Sequence, residues 1–562
     1  MLMQNKIIDN KFREILIPTM LIAMALNISI IVDSSFVAHY IGHNGQAALQ
    51  VLEPLVLLVT IFEWLFGLGG QILSLNKKAE FDEEGSDHYF TVAVLTTIVL
   101  SIIILAICFI FKDSIILMLH PTPEVVPFVS SYATFVFISF PLATILAVLT
   151  QFIRVDGQPN LASALIIIAN AINIVLDYVF LGYLHMGIEG ASLATTIGYA
   201  VGLLCVLKYH FDSKRTFKFI LSELGIKSWI KSSVEIIKIG FPGASIGLFD
   251  VVLVYSMNII LSSILGTIGL DIYNASVNAL LVISIIIIGF SETLSSIVPI
   301  YYTQNDFNNL QYIVRKSIML TLICSVAFTI FLWVYPDGFL IFFNLNQMPN
   351  DAAVEMAIRL YSLSFIPYVI VSILIFYYEG IERIVPSGIV SFISGLAGPL
   401  LFTFILYPLI GGNGIWLSFF FGMMLAILAA VLCSKIIQRR EKEYYGLFYI
   451  KRDMIPKSRN YAFANFDDKS KDEMDNHLKC LDVDDSDCKK LDDVLKYIFE
   501  SNGGTILLNI LIIDYDDCII INIKDEGKRE IIRDNAEFSD DEQIDSSEVL
   551  GFNNVKLTLF KD

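Results

Sequence analysis

The sequence predicts an all-α polytopic membrane protein with twelve transmembrane helices in two six-helix lobes, followed by a small α+β domain. Three observations support this fold class. The 562 residues are 55% hydrophobic, with a mean hydropathy of +0.67. Apolar runs such as 91–111 are too long for a soluble core, because runs of about 18 or more such residues are typical of membrane spans. After residue 453 the composition becomes acidic, with short alternating apolar runs.

The apolar runs predict twelve helices. The first run, 15–38, is too long for a signal peptide, so we expect it to remain in the protein. An even number of helices places both termini on one side of the membrane. Basic residues concentrate in 6–13, 208–231 and 435–442, and the positive-inside rule makes these segments cytoplasmic. The predicted helices are 13–38, 48–75, 88–112, 127–151, 160–182, 187–208, 234–263, 271–303, 311–335, 353–380, 384–410 and 412–437.

The two halves of the helical region form an internal repeat with an offset of 224 residues. Pro18 and Pro242, Gly42 and Gly266, and Gly190 and Gly414 all have this spacing. Because each copy has six helices, both copies have the same orientation, as in transporters with a cavity between two lobes. The predicted units are an N-terminal lobe 1–207, a basic linker 208–233, a C-terminal lobe 234–440, a second linker 441–455 and a cytoplasmic domain 456–562.

Polar side chains inside the fifth and sixth helices are the strongest functional signal. Asn173 and Asp177 are one turn apart on a single helix face, and Thr195 lies at a similar depth in the next helix. Asp33 lies at the same depth in the first helix. A carboxylate within a membrane span costs about 2.5–3.5 kcal/mol on insertion scales, so it is retained mainly for function. Two carboxylates in one dry pocket do not both ionise readily unless a cation lies between them.

Several stretches resemble the multidrug and toxin extrusion (MATE) transporters, in particular their prokaryotic multidrug branch. The stretches are IPTMLIAMALNISIIVDSSFVAHYIG (17–42), IRVDGQPNLASALIIIANAINIVLDYVF (153–180), MGIEGASLAT (186–195) and GFSETLSSIVPIYYTQND (289–306). The resemblance extends over about residues 10–445. It implies export of lipophilic, often cationic, drugs or metabolites in exchange for Na⁺ or H⁺. It also implies a coupling site for that ion at Asp33, Asn173, Asp177 and Thr195.

Three further acids are candidates for a second-lobe site or a cavity lining. Some MATE branches have an acid eight residues after the leading proline of the second lobe, which is Asp250 here. A second acid of those branches falls on Tyr368. Glu63 and Glu292 lie in the middle of the second and eighth helices. The structural alternative for each acid is a hydrogen bond to a neighbouring helix.

The C-terminal segment predicts a helix over 491–501 and strands over 505–514, 518–524 and 554–559. Its element order and the stretch IIINIKDEGKRE (519–530) resemble the ATPase domains of histidine kinases and anti-sigma factors, in a degenerate form. The resemblance implies nucleotide contacts at Asp525, Gly527 and Gly551. The Mg²⁺-binding asparagine of those domains is Tyr497 here. We therefore expect a regulatory or partner-binding module, with a nucleotide or a protein as its partner, and its acidity favours docking on the basic segment 208–231.

Several function classes are disfavoured. The net charge is −18, and residues 451–562 carry 27 acidic against 16 basic side chains, which argues against a nucleic-acid partner. The seven cysteines lack metal-site or redox spacing, and no GxxxxGK[ST] motif occurs. We expect a transporter that is not an enzyme and requires no cofactor beyond its coupling ion. The alternatives are a flippase for lipid-linked precursors, which would need basic cavity residues, and a membrane receptor that signals through its C-terminal domain.

Overall fold

The computed structural model describes residues 6–119, 122–220, 225–342, 351–464, 469–481, 483, 485–502, 506–515, 517–526 and 543–560. Within these residues, twelve helices are long and apolar enough to cross a membrane, which confirms the predicted fold class. They are α1 Lys6–Tyr40, α2 His43–Ala79, α3 Glu83–Ile110, α4 Val126–Val155, α5 Pro159–Tyr183, α6 Ile188–His210, α7 Ile226–Leu265, α8 Ala275–Thr303, α9 Phe307–Val334, α10 Ala352–Gly380, α11 Ile384–Ile410 and α12 Gly412–Arg440.

Helix packing follows the internal repeat. In the first lobe, α1 packs against α5, and α4 and α5 pack against α6; in the second, α8 packs against α10, and α11 against α12. Gly187 and Gly411, 224 residues apart, precede α6 and α12 with φ of 72° and 66°. A side chain would strain this conformation. Many large apolar side chains on these helices are exposed, as expected for lipid-facing surfaces.

We define the terminal face as the end of the bundle where α1 begins and α12 ends. The two lobes are joined by hydrogen bonds in the half of the bundle near this face. Gln71 Nε2 donates to Ser296 Oγ at 3.2 Å, and Asn76 Nδ2 donates to Glu382 Oε1 at 2.5 Å. Thr303 Oγ1 donates to Asn76 Oδ1 at 3.2 Å. The lobes are therefore closed against each other at the terminal face.

The C-terminal domain contains a five-stranded antiparallel sheet in the order β1-β2-β3-β5-β4, with two helices on one face. Apolar side chains of both helices, such as Met474 and Ile498, pack on Ile510, Ile521 and Leu557 of the sheet. The predicted helix and three strands are present, and β1, α13 and β4 are additional. The elements are β1 Ser458–Phe463, α13 Lys469–Cys480, α14 Asp485–Ser501, β2 Leu508–Asp514, β3 Cys518–Asp525, β4 Ile544–Val549 and β5 Phe552–Phe560.

The opposite face of the sheet is polar and lies on the terminal face of the bundle. Successive strand residues point to opposite faces, so Lys524 and Asn554 face the membrane domain while Ile523 and Val555 face the helices. The described contacts of this sheet face are with residues 78–81 and 301–308. The expectation of docking on 208–231 is therefore wrong for the described residues. Linker residues instead satisfy first-lobe acids: Lys218 N donates to Asp87 Oδ1 at 2.8 Å.

Candidate functional site

Three of the predicted polar residues meet between α5 and α6. Asn173 Nδ2 donates to Asp177 Oδ2 at 3.3 Å and to Thr195 Oγ1 at 3.2 Å. Asp177 and Asn173 are buried, with 0% and 3% exposure. The turn after Asp177, Tyr178–Tyr183, is π-helical, and such turns occur often at functional sites. The arrangement agrees with the helical spacing that grouped these residues in the sequence.

Helix α1 completes the cluster with two residues one turn apart. The carboxyl group of Asp33 lies against that of Asp177, close enough for the two to share a proton. Ser29 is buried, and its hydroxyl donates to Asn173 Oδ1 at 2.9 Å. Sequence reasoning missed Ser29, although its position four residues before Asp33 was a usable signal. We call Ser29, Asp33, Asn173, Asp177 and Thr195 the carboxyl cluster.

The carboxyl cluster has acceptor capacity that the described residues leave unused. Asp33 Oδ1 and Asp177 Oδ1 are both buried and have no hydrogen-bond partner among the described residues. Two carboxylates this close repel each other unless a proton or a metal cation lies between them. Oxygen donors are also the ligands that hard cations prefer. The residues present therefore fit either a proton or Na⁺.

Two tyrosines of the first lobe lie within electrostatic range of the carboxyl cluster. Tyr132 of α4 interacts with the charges of Asp33 and Asp177, and Tyr199 of α6 with that of Asp33. Sequence reasoning did not assign them to the site. Tyr199 follows Thr195 by one helical turn, which places both side chains on one face of α6.

Glu63 and Glu292, predicted as cavity acids, belong to one polar network across the lobes. Arg154 Nη1 donates to Glu292 Oε2 at 3.0 Å and to Thr19 Oγ1 at 3.2 Å. Arg154 Nη2 donates to Gln151 Oε1, and Gln151 Nε2 donates to Glu63 Oε1 at 2.7 Å. Arg154 belongs to α4 and Glu292 to α8, so this pair joins the two lobes. The network adds to the closure at the terminal face.

Asp250 of α7 is exposed and lies within electrostatic range of tyrosines of the second lobe. Its charge acts on the hydroxyl groups of Tyr273, Tyr361 and Tyr368. Tyr368, at the position where the resemblance implies a second acid in some MATE branches, thus lies within electrostatic range of Asp250. A carboxylate among aromatic rings suits an organic cation, because ring faces attract cations.

The residues expected to contact nucleotide lie in different settings. Asp525, at the end of β3, is buried and accepts a hydrogen bond from Asn553 Nδ2 at 2.9 Å. Gly551 lies in the two-residue turn between β4 and β5, with φ of 74°. Gly527 lies outside the described residues. The nucleotide site stays a prediction.

The Ser29→Ala variant is expected to weaken the carboxyl cluster without removing it. The resemblance implies that this cluster binds the coupling ion. Losing one hydrogen bond of about 1 kcal/mol frees Asn173 to rotate, so for such an ion we expect the half-saturating concentration to rise about fivefold. Ser35→Ala is the matched control, because Ser35 on the same helix donates only to the carbonyl oxygen of Ile31 and is solvent-exposed. Ion-dependent transport in vesicles measures both. Equal behaviour of the two variants would contradict a positioning role for Ser29.

Comparison with known proteins agrees with this architecture. The MatE family model matches residues 18–179 and 244–402, one segment in each lobe and together more than half of the chain. The multidrug export protein MepA of Staphylococcus haemolyticus is 25% identical over 305 residues, covering 54% of this chain and 66% of that protein. The probable multidrug resistance protein YoeA of Bacillus subtilis is 24% identical over 345 residues, covering 59% and 73%.

Solved structures match the helical region as well. An outward-facing multidrug resistance MATE transporter of the MOP superfamily superposes with a TM-score of 0.70 at 18% identity, covering 77% of this chain and 96% of that chain. A MOP superfamily transporter from Pyrococcus furiosus, described as having a binding pocket of reverse polarity, gives 0.69 at 19% identity with the same coverage. These structures share the fold, and the family model, which matches more than half of the chain, shows that the chain belongs to the MatE family.

Proposed function

We propose that this chain exports lipophilic or cationic small molecules across the cell membrane in exchange for Na⁺ or H⁺, as a secondary active transporter. The observation that carries the proposal is the carboxyl cluster, with two membrane-embedded acids that face each other and retain unused oxygens. Relatives named for multidrug export and the family match support the same activity.

The exchange follows from competition between charges. A proton or Na⁺ between Asp33 and Asp177 removes their repulsion and draws α1 towards α5. Without it, the two carboxylates repel and favour a different position of α1. A ligand shifts a conformational equilibrium only by binding the two states with different affinity. Occupation of the carboxyl cluster therefore biases which face of the membrane the central cavity opens to. The coupling ion and the exported molecule bind alternately, one in each conformation.

The exported molecule binds between the lobes. Asp250 and its neighbouring tyrosines provide a negative charge and ring faces in the second lobe. Arg154 is already paired with Glu292, so this cation is engaged by protein and is not available to bind a phosphate. This pairing favours an organic cation over the lipid-linked phosphates that a flippase would move. The terminal face is cytoplasmic, because the basic residues near the ends of α1, α6 and α12 lie there.

Gradient-driven efflux tests the proposal. Wild type, Asp177→Asn and Glu53→Gln are reconstituted in vesicles loaded with ethidium or norfloxacin, and Na⁺ and pH gradients are imposed separately. Glu53 is the matched control, since it is an exposed acid in α2. We expect one gradient to drive efflux in wild type and Glu53→Gln but not in Asp177→Asn. Absence of flux under both gradients would refute antiport, and flux that survives in Asp177→Asn would move the coupling site to Asp250.

A further inference from the structure

The sheet domain binds two turns of the membrane domain that are equivalent in the internal repeat. Asp82 caps α3 by accepting a hydrogen bond from Gly85 N, and Asp306, 224 residues later, caps α9 by accepting one from Asn309 N. The residue before each aspartate, Phe81 or Asn305, has positive φ. We call residues 78–82 the first-lobe turn and 302–306 the second-lobe turn. Both turns lie at the terminal face, one on each lobe.

Contacts of the sheet with the second-lobe turn are polar and specific. Asn460 Nδ2 of β1 donates to Asp306 Oδ1 at 2.9 Å. Lys524 Nζ of β3 lies 3.6 Å from Asp306 Oδ2. Gln304 Nε2 donates to Asn554 Oδ1 of β5 at 3.1 Å. Three strands of the sheet therefore hold one turn of the second lobe.

The ion pair between Lys524 and Asp306 is fully buried, with side-chain exposures of 1% and 0%. The Lys524 ammonium also lies 4.3 Å from the ring centroid of Tyr301. Burial lowers the pKa of Lys524, and the charge and hydrogen bond of Asp306 oppose that shift. A buried charge is tolerated only with its partner in place. The buried charge of Lys524 is thus stabilised only while the domain is docked on the second-lobe turn.

Contacts with the first lobe come from β4 and β5. Ser547 Oγ of β4 donates to the carbonyl oxygen of Lys78 at 3.2 Å, and the Lys556 ammonium of β5 lies 5.7 Å from the ring centroid of Phe81. At the β4–β5 turn, Leu550 and Phe552 are buried and belong to the apolar cluster of the helical bundle rather than to the core of the sheet domain. The hairpin tip is therefore packed into the membrane domain.

We propose that the sheet domain is a latch that holds the two lobes closed at the terminal face and must release one lobe before the cavity opens there. The strands that touch the first lobe are hydrogen-bonded to those that touch the second through the continuous order β1-β2-β3-β5-β4. Moving the first-lobe turn away from the second-lobe turn therefore requires either breaking the sheet or releasing all its contacts with one lobe. The inference rests on the proposed function, because alternating access requires the lobes to part at this face.

The latch has a direct test in hydrogen–deuterium exchange of the full chain. Lys524→Met removes the buried cation and leaves the Asp306 carboxylate without its ion-pair partner. We expect amide exchange in 69–79 of α2 and 296–306 of α8 and its turn to accelerate about fivefold or more, the range of a typical coupling free energy. Lys471→Met is the matched control, since Lys471 is also buried and ion-paired, with Asp475 and Asp492, but lies in α13 away from the membrane domain.

Two further measurements separate loss of the latch from unfolding of the sheet domain. Exchange in β2, in the core of the sheet, reports whether the domain remains folded in Lys524→Met. Gln304→Ala, a change in the membrane domain, releases a second-lobe contact without altering the sheet, and we expect it to accelerate exchange in the same two segments. Unchanged exchange in both segments, or equal effects of Lys524→Met and Lys471→Met, would overturn the latch. Loss of efflux in wild type would refute the antiporter but leave this comparison intact.

Discussion

The Arg154→Met variant is expected to lower the free energy of unfolding by about 3 kcal/mol, within the range for removing one partner of a buried ion pair. Arg154 has a side-chain exposure of 3% and Glu292 of 13%. Without the guanidinium, Glu292 loses its counter-ion and Gln151 loses the donor that orients it towards Glu63. The lobes then lose an ion pair that joins α4 of the first lobe to α8 of the second. Thermal unfolding of the purified protein in detergent measures the effect.

A double-mutant cycle separates the ion pair from the general cost of the substitution. Arg154→Met combined with Glu292→Gln removes both charges and is expected to recover much of the lost stability. Arg440→Met serves as a control, because Arg440 is exposed at the end of α12. If Arg154→Met and Arg440→Met unfold at the same temperature, the inter-lobe pair contributes nothing to closure.

Gly240→Ala is expected to produce the second large effect, by forcing α2 and α7 apart at the terminal half. A Cβ at Gly240 would collide with the carbonyl oxygens of Leu65 and Trp64, and one at Gly69 would lie 2.5 Å from the carbonyl oxygen of Ile236. The two helices thus touch backbone to backbone. Overpacking costs about 1–3 kcal/mol, and we expect the upper end because backbone atoms have no alternative rotamer.

Gly247→Ala is the matched control on the same helix. The nearest atom to a Cβ there is Ile61 Cγ1 at 3.9 Å, an ordinary contact. Alanine also has a higher helix propensity than glycine, so Gly247→Ala should be neutral or slightly stabilising. We expect Gly240→Ala to lower the unfolding temperature and to slow efflux. Identical unfolding of the two variants would contradict direct contact of α2 with α7.

The helical region and most of the carboxyl cluster could be predicted from the sequence. Hydrophobic length determines a membrane span almost independently of tertiary context, so each of the twelve helices overlaps its prediction. Asn173 and Asp177 were grouped by helical periodicity alone. Ser29 was missed because hydroxyl groups in apolar helices commonly bond to the backbone one turn earlier, as Ser35 does. The one local signal that separates the two serines is spacing, because Ser29 lies one helical turn before Asp33 and Ser35 does not.

Contacts between distant parts of the chain were beyond sequence reasoning. Arg154 and Glu292 lie in different lobes, and periodicity within each helix does not fix the register between lobes. Strands β1 and β4 were missed because SRNYAF and IDSSEV lack the runs of isoleucine and leucine that mark central strands such as LNILIID and CIIINIKD. They are the two edges of the sheet, and an edge strand is determined largely by its neighbour. The predicted docking of the C-terminal domain on 208–231 was wrong because it relied on the net charge of the domain. The observed docking depends on individual pairs such as Lys524 with Asp306.

Strand β5 lies between β3 and β4, although it is the last strand in the chain. The ladders that join β3 to β5 and β5 to β4 therefore cannot form until residues 552–560 have been synthesised, more than a hundred residues after α12 ends. At typical elongation rates this delay is on the order of ten seconds. The twelve helices thus have time to insert and pack before the domain that binds both lobes exists. The strand order thus determines the order of assembly. The membrane domain forms first, and the sheet domain binds its terminal face last.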